Sequence, residues 1–451
     1  MEEIMDKARR IALIVLKEVN EDQKYANISL KEHINRAKLN ERDAAFVTQL
    51  VYGTLENQGI IDQALRKFAK MNRVNPWVKN ILRMGCYQIL YLDRVPDSAA
   101  CNESVKLCQG FGFASLKGFV NGVLRNISRK KKTLGILKES PMDAKSLASW
   151  YGFPLWLVEM WIKEYGKEAA RRIVENSVGP SWTTIRINRR KTSREEVIES
   201  LVDQGADVKE GIYFDNALRV RGIGNIQNNP LYQQGLFTVQ GESSMLACHI
   251  LGPNPGECVL DACSAPGGKA IYLAELMNME GKIYAFDNHE HRVELINKNR
   301  ERMKASIVHT RIQDATIFNP EFEGNIDRVL LDVPCSGWGV MHKKPDIKLR
   351  ISKEELDSLY QLQWDILTNC SRYLKYDGIL VYSTCTINPW ENNRMIERFL
   401  NENPEFVLEG FHKELPNGLK DFVIQDGMIQ LMPNKEGLDG FFIAKLRRIK
   451  I

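Results

Sequence analysis

The sequence predicts a multi-domain chain: an all-α N-terminal domain, a small α+β middle module and a C-terminal α/β, Rossmann-like domain. Three observations carry this reading. Residues 1–140 show apolar positions at three- and four-residue spacing and no strand-like alternation. Residues 141–240 mix one alternating run with helical ones, and residues 241–451 alternate short apolar runs with helical stretches. The last pattern is that of a parallel sheet covered by helices on both faces. A chain of 451 residues is also long enough for several cores, since one domain usually takes about 100–200 residues.

The opening "MEEIMDKARRIALIVLKEVN" is an amphipathic helix with Ile4, Ala8, Ile11 and Val15 on one face. "RDAAFVTQLVYGTLENQGIIDQAL" and "NPWVKNILRMGCYQILYL" continue the helical spacing, the second with Asn75 and Pro76 as start signals. "SLKGFVNGVLRNISRKKK" ends in the basic run Arg129 to Lys132, which complements a helix C-terminus and offers charge to phosphate. In the middle module "PLWLVEMWIKEYG" is a helix and "WTTIRINRRK" a strand. "SREEVIESLVDQGADV" begins like a capping box, with Ser193 as cap and Glu196 three residues on. Strands then follow at "ECVLDAC", "KIYAFD", "SIVHT", "DRVLLDV" and "GILVYST", with helices starting near Gly267, His289, Ser352 and Asn388. "GFFIAKLRRIK" is expected as a last edge strand.

Composition excludes several classes. A hydrophobic share of 44% with 26% charged residues is that of a globular protein, so disorder is not expected. The formal charge of +5 permits nucleic-acid binding without requiring it. No stretch approaches the ~20 apolar residues of a membrane span, and the charged N-terminus is no secretory signal, so no membrane role and a cytoplasmic location are expected. The nine cysteines are odd in number and form no CxxC pair, which fits reduced thiols in that compartment and no metal. His289 and His291 read as a solvated helix start.

The chemistry concentrates in the last domain. The first strand runs into "DACSAPGGKA", residues 261–270, whose paired Gly267 and Gly268 let backbone approach a ligand at a strand-to-helix turn. It is not the GxGxxG of dinucleotide enzymes, and Pro266 disfavours a pyrophosphate there. Asp287 ends the second strand twenty residues after Gly267, where doubly wound folds place the carboxylate that binds ribose hydroxyls. Asp314 follows the third strand, within reach of an adenine amino group. Either aspartate alone is as readily a loop cap; with the two glycines they favour an adenosine-bearing cofactor. The fourth strand ends in "LLDVPCSGWGV", carrying Asp332 and Cys335, and the fifth ends at Cys385 in "YSTCTINPWENN". A single cysteine would be a buried filler, but two leaving adjacent strand ends into polar loops point to thiolate chemistry.

In this order and spacing, "DACSAPGGK", "DVPCSGWGVMHKKPD" and "YSTCTINPWENN" resemble the motifs of the RNA (cytosine-5)-methyltransferases that use S-adenosyl-L-methionine. "RDAAFVTQLVYGTL", "ILRMGCYQILYLDRVPDSAACNESV" and "KGFVNGVLR" resemble the NusB-like RNA-binding domain that precedes the methyltransferase part in the bacterial RsmB/Sun/Fmu family, which acts on small-subunit rRNA. The resemblance implies a cofactor pocket shaped by Cys263, Ser264, Ala265, Pro266, Gly267, Gly268 and Lys269. It further implies Asp287 on the ribose, Asp314 near the adenine, Arg292 among the cofactor contacts, and Asp332 beside both cofactor and target base. Cys385 then corresponds to the nucleophile and Cys335 to the residue assisting product release.

A base inside a duplex cannot present C6 to a thiolate, so the target cytidine must be unpaired or flipped out. Lys343, Lys344, Lys348 and Arg350, followed by Arg189, Arg190 and Lys191, are the candidates to line its path. A monomer is expected, with rRNA as partner. Three other readings remain open: a related enzyme acting on tRNA or another rRNA position, a non-catalytic RNA-binding assembly factor, and an antitermination factor of NusB type.

Overall fold

The computed structural model describes residues 5–134, 143–179 and 182–450. Ile4 and the expected boundary at 140/141 lie outside the described residues. The chain forms two compact units, one taking in Met1–Pro180 with Met341–Ile351, the other Ser181–Val340 with Ser352–Ile451.

The first unit is helical. Asp6 caps the helix Lys7–Glu21 by accepting from the Arg9 amide at 2.8 Å, and the face carrying Ala8, Ile11, Ala12 and Val15 is buried. The long apolar run after Asn40 splits at Asn57 into Glu41–Glu56 and Gln58–Arg66. Pro76–Tyr91, capped by Asn75, is buried on nearly every side from Val78 to Ile89, as befits the central helix of a bundle. Its buried charge, Arg83, makes a bidentate pair with Asp62 at 2.7 and 2.6 Å. Asp97–Gly110 and Lys117–Lys130 complete the bundle, and Ala144–Tyr151, Leu155–Tyr165 and Lys167–Glu175 belong to the same unit.

Met341–Ile351, distant in sequence, is a strap on this helical body. The Asp346 carboxylate accepts from the Ala26 amide at 3.2 Å, at the N-terminus of helix Ala26–Ala37. Lys348 donates to the Glu56 carbonyl at 3.0 Å, at the C-terminus of Glu41–Glu56. Each charge thus meets the helix pole that favours it. The Arg350 guanidinium lies 3.9 Å from the Tyr25 ring centre. Lys348 is only 4% exposed, so the expected phosphate contact is corrected: its four-carbon stem is buried and its ammonium is spent on a backbone carbonyl. Burial lowers Lys348 to about 8 and raises the Glu56 carboxyl to about 7.

In the second unit β1 (Thr183–Ile187), β2 (Asp207–Glu210), β3 (Ala217–Arg221) and β4 (Phe237–Val239) form an antiparallel sheet in the order β2-β3-β1-β4. Helix Arg194–Asp203 opens with the expected capping box of Ser193 and Glu196, a cap worth about 1 kcal/mol. Buried Arg186 bonds Gln240 at 2.7 Å and ties this sheet to helix Gly268–Leu276 through Glu275 and over the Tyr272 ring. Of the three basic residues after β1, Arg189 pairs with Asp215 at 2.7 Å, and Lys191 caps the carbonyls of Gln234 and Arg302.

The larger sheet holds β5 (Cys258–Asp261), β6 (Lys282–Asp287), β7 (Val308–Ile312), β8 (Ile326–Asp332), β9 (Leu374–Thr384), β10 (Phe406–Leu408), β11 (Val423–Gln425), β12 (Met428–Leu431) and β13 (Phe441–Arg448). Strands β7-β6-β5-β8-β9 are parallel, matching the five expected runs; β13 adds antiparallel to β9 and is followed by β12 and β11. The expected edge strand at the C-terminus is therefore interior: Phe441 to Leu446 are all buried, and β13 also pairs with β10. The apolar run Phe441–Ala444 marks a covered strand, and the edge falls instead on β11, which is intermediate to exposed along its length. The helix expected near Asn388 begins at Asn393, because side chains of 388–392 make a hydrogen-bonded loop instead.

Replacing Lys348 by Met keeps the packed stem and removes the titration. A lysine lowered from its ordinary 10.5 to about 8 contributes stability that is complete above pH 10.5 and lost as pH falls through 8. The parent should gain on K348M by up to about 3 kcal/mol across that window, read as the difference in unfolding free energy. A difference that stays flat from pH 8 to 10.5 would contradict the burial.

Candidate active site

Strand order reverses between β5, which leads through β6 to β7, and β8, on the other side of β5. In doubly wound sheets ligands bind at this point, beyond the carboxyl ends of the strands. The loops after β5 and β8, and that after β9, meet there.

The β5 loop is held by backbone. Ser264 donates to the Phe286 carbonyl at 2.8 Å and Gly267 to the Ser264 carbonyl at 2.7 Å, and the Ala265–Pro266 bond is cis. Gly267 has φ +98°, and an added Cβ would lie 3.0 Å from Ile296 Cγ2, so only glycine fits without strain. At Gly268 a Cβ would meet nothing within 4 Å, leaving open space at the start of helix Gly268–Leu276. Asp287, 6% exposed at the end of β6, accepts from the His289 amide at 3.3 Å, and Arg292 approaches it at 3.7 Å. Asp314 folds back on its own turn, accepting from the amide and hydroxyl of Thr316 at 2.9 and 2.7 Å, so one of its oxygens serves as a loop cap. Asp261, at the end of β5, is buried with both carboxyl oxygens lacking hydrogen bonds of good geometry. Burial raises it to about 7, more than nearby Lys269 and Ser264 lower it. An orphaned buried carboxyl, an open glycine turn and a strand-end aspartate fit a ligand bearing an amino group, a sugar and an adenine.

The β8 and β9 ends carry Asp332 and the two cysteines. Pairing of Leu331 with Tyr382 and of Asp332 with Ser383 sets the two chains in register. Val333 then donates to the Ser383 carbonyl at 3.1 Å and Gly339 to the Cys385 carbonyl at 3.0 Å. Between these ties Cys335 Sγ comes to 3.2 Å from Cys385 Sγ. Gly339 must be glycine, since a Cβ there would overlap the Gly440 carbonyl. The hydrogen bond to Cys385, together with burial, pushes the Cys335 thiol well above its ordinary range, and negative charge on Cys385 pushes it the same way. Cys263, by contrast, is raised chiefly by burial, with the charges of Cys370 and Asp261 adding to it. Asp332 accepts from Lys269 Nζ at 2.6 Å and from the Ser383 hydroxyl at 3.0 Å. Burial acts to lower Lys269, but the Asp332 charge and hydrogen bond outweigh it and hold the ammonium at about 12.

Sequence reasoning missed Asp261, Ser383 and the carboxylate of Glu391. Glu391 is fully buried and accepts from the Ser336 amide (2.8 Å), the Ser336 hydroxyl (2.5 Å), Gln363 Nε2 (2.9 Å) and Asn388 Nδ2 (2.9 Å). The available signal was an acidic residue inside "NPWENN", six positions after Cys385. Among the described residues no group of three or more His, Cys, Asp or Glu is placed to hold a metal ion, and no helix is long and apolar enough to cross a membrane.

Comparison with known proteins agrees with this geometry. Residues 248–447 match the model of the 16S rRNA methyltransferase RsmB/F family, residues 6–129 the NusB family and residues 153–227 the ferredoxin-like domain of RsmF/B-like methyltransferases. The probable ribosomal RNA small subunit methyltransferase B of Bacillus subtilis (strain 168) is 38% identical, covering 98% of each chain. Its counterpart in Synechocystis is 34% identical over 98% of this chain and 100% of that one. The crystal structure of PH0851 superposes with a TM-score of 0.80 at 27% identity, over 99% of this chain and 100% of that one. A helical NusB-type region, a ferredoxin-like module and a methyltransferase domain with two cysteines at its switch point make one consistent whole: the chain belongs to the RsmB/F family of S-adenosylmethionine-dependent methyltransferases.

Proposed function

We propose that the protein methylates C5 of an unpaired cytidine in small-subunit rRNA through a covalent link between Cys385 and C6 of the base. The observation that carries this reading is the pair of sulfurs 3.2 Å apart at the strand ends where Asp332 also lies. The names of the relatives, small-subunit rRNA methyltransferases, support the substrate class. We assign the cofactor pocket to the β5 loop from Cys263 to Lys269, with Asp287 and Arg292 toward the ribose and Asp314 toward the adenine.

C5 of cytosine is a weak nucleophile. Addition of the Cys385 thiolate to C6 forms the S–C6 bond and shifts the C5–C6 π pair to C4–C5 and the C4–N3 pair onto N3, which takes a proton from solvent. Asp332 hydrogen-bonds N3 in that state, and Lys269 and Ser383 hold the carboxylate so that it does not turn away as charge develops. S-adenosylmethionine, when bound, supplies the electrophilic methyl group that C5 then accepts. Loss of the C5 proton to a base restores the C5–C6 double bond, the S–C6 bond breaks, and the N3 proton leaves with it. The sulfur of Cys385 departs as a thiolate, and Cys335, which keeps its proton, donates a hydrogen bond to it. The shared site thus divides the labour: one thiol ionises to attack, the other stays protonated to receive the leaving sulfur.

Labelled S-adenosylmethionine and unmodified small-subunit rRNA test the reading directly, with 5-methylcytosine mapped afterwards. Cys385→Ala should abolish transfer while cofactor affinity stays at the parental level; turnover in that variant refutes the nucleophile. Cys335→Ala should accumulate protein bound covalently to RNA, seen as a band that survives denaturant, and its absence removes the release role. Asp287→Ala should weaken cofactor binding by roughly tenfold or more, the scale of a lost charge-assisted hydrogen-bond pair, as measured by titration calorimetry.

A further inference from the structure

We propose that Glu391 is the positioning residue that sets the separation of the two catalytic sulfurs, an inference that rests on the cysteine roles assigned above. The Cys335 turn is tied to β9 and its loop at its two ends, by Val333 and Gly339. Its middle is held through Glu391. The residue after Cys335, Ser336, gives the carboxylate both its amide and its hydroxyl. The residue before it, Pro334, has its carbonyl bound at 2.8 Å by Gln363, whose same amide group also donates to Glu391. From the other side Asn388, three residues past Cys385, donates to Glu391, and Thr386, next to Cys385, lies 2.7 Å from the Ser336 hydroxyl. Tyr382 on β9 donates to the Glu391 carbonyl at 2.8 Å, so the clamp itself is anchored to the sheet. The Cys335 turn is thus fastened to this carboxylate through Ser336 and Gln363, and the Cys385 loop through Asn388 and, by way of Ser336, Thr386.

A carboxylate suits this place for a geometric reason. Four donors converge on it, and only a group with two acceptor oxygens and no donor of its own can satisfy them together. Glutamine has the same length but turns an N–H toward donors. All four donors are uncharged, so the cage is costly to build from a buried acid, and a neutral filler would serve if only packing were at stake.

The test uses the full-length protein and two readouts. In the free enzyme, without RNA or cofactor, dibromobimane bridges two thiols at short range; Cys335→Ala supplies the blank. With rRNA, steady-state kinetics separate kcat from KM. Glu391→Gln should lose bridging several-fold and kcat by about 10²-fold, the scale of a roughly 1 Å misplacement, with KM for rRNA within about twofold. Ser336→Ala, which keeps the amide bond, should show a smaller loss in both. Parental kcat in Glu391→Gln overturns the proposal, and so does lost kcat with parental bridging, which would make Glu391 a participant in proton transfer. Should Glu391→Gln fail to fold, Ser336→Ala decides: parental values in both readouts overturn the proposal. Bridging is read without turnover, so an active Cys385→Ala enzyme would remove the cysteine roles while leaving the judgement on Glu391 separate.

Discussion

The parallel pairing of β8 with β9 is the constraint on which the reactive site depends. Asp332 faces Ser383 across the ladder, so the turn holding Cys335 and the turn holding Cys385 start from neighbouring points. Side chains alternate faces along a strand, and a slip of one residue would send Ser383 away from Asp332 and part the sulfurs. β13 secures that register from the far side by pairing with β9 from Ile379 to Thr384, and all of β9 from Gly378 on is buried. The apolar sheet thus fixes positions that the polar loops then use.

The loops use them by exchanging one kind of hydrogen bond for another. Beyond the strand ends the ladder stops, and the orphaned backbone groups are satisfied by side chains: Gln363 on Pro334, Glu391 on Ser336, Asn392 on the Thr386 carbonyl. Buried polar networks of this type are stable only when nearly every member is satisfied. That requirement gives the two thiols, 3.2 Å apart, a stiff frame.

Much of this was legible in the chain itself. Apolar spacing identified the bundle helices and the five parallel strands, and the Ser193–Glu196 spacing the capping box, because each of these is decided by residues close in sequence. The turn at Gly267 and the two strand-end cysteines were legible for the same reason. What could not be read came from contacts between distant segments. Glu391 looked like an ordinary charged loop residue, since its four donors come from three separate stretches. Lys348 looked like a surface cation, because the carbonyl that receives it lies at Glu56. The interior place of β13 was hidden by the β11–β12 hairpin, whose short strands leave a weak alternating signal.

The strap has an architectural consequence. Eleven residues, Met341–Ile351, begin six positions after Cys335, and their charged side chains are accommodated by helices encoded some three hundred residues earlier. The helical body is therefore no removable accessory clipped to the front of an enzyme. Cutting the chain after the bundle would strand Asp346, Lys348 and Arg350 without their hosts, on a tether leading straight back to the thiol. Modularity in the linear order of domains conceals an interdependence written into the folded thread.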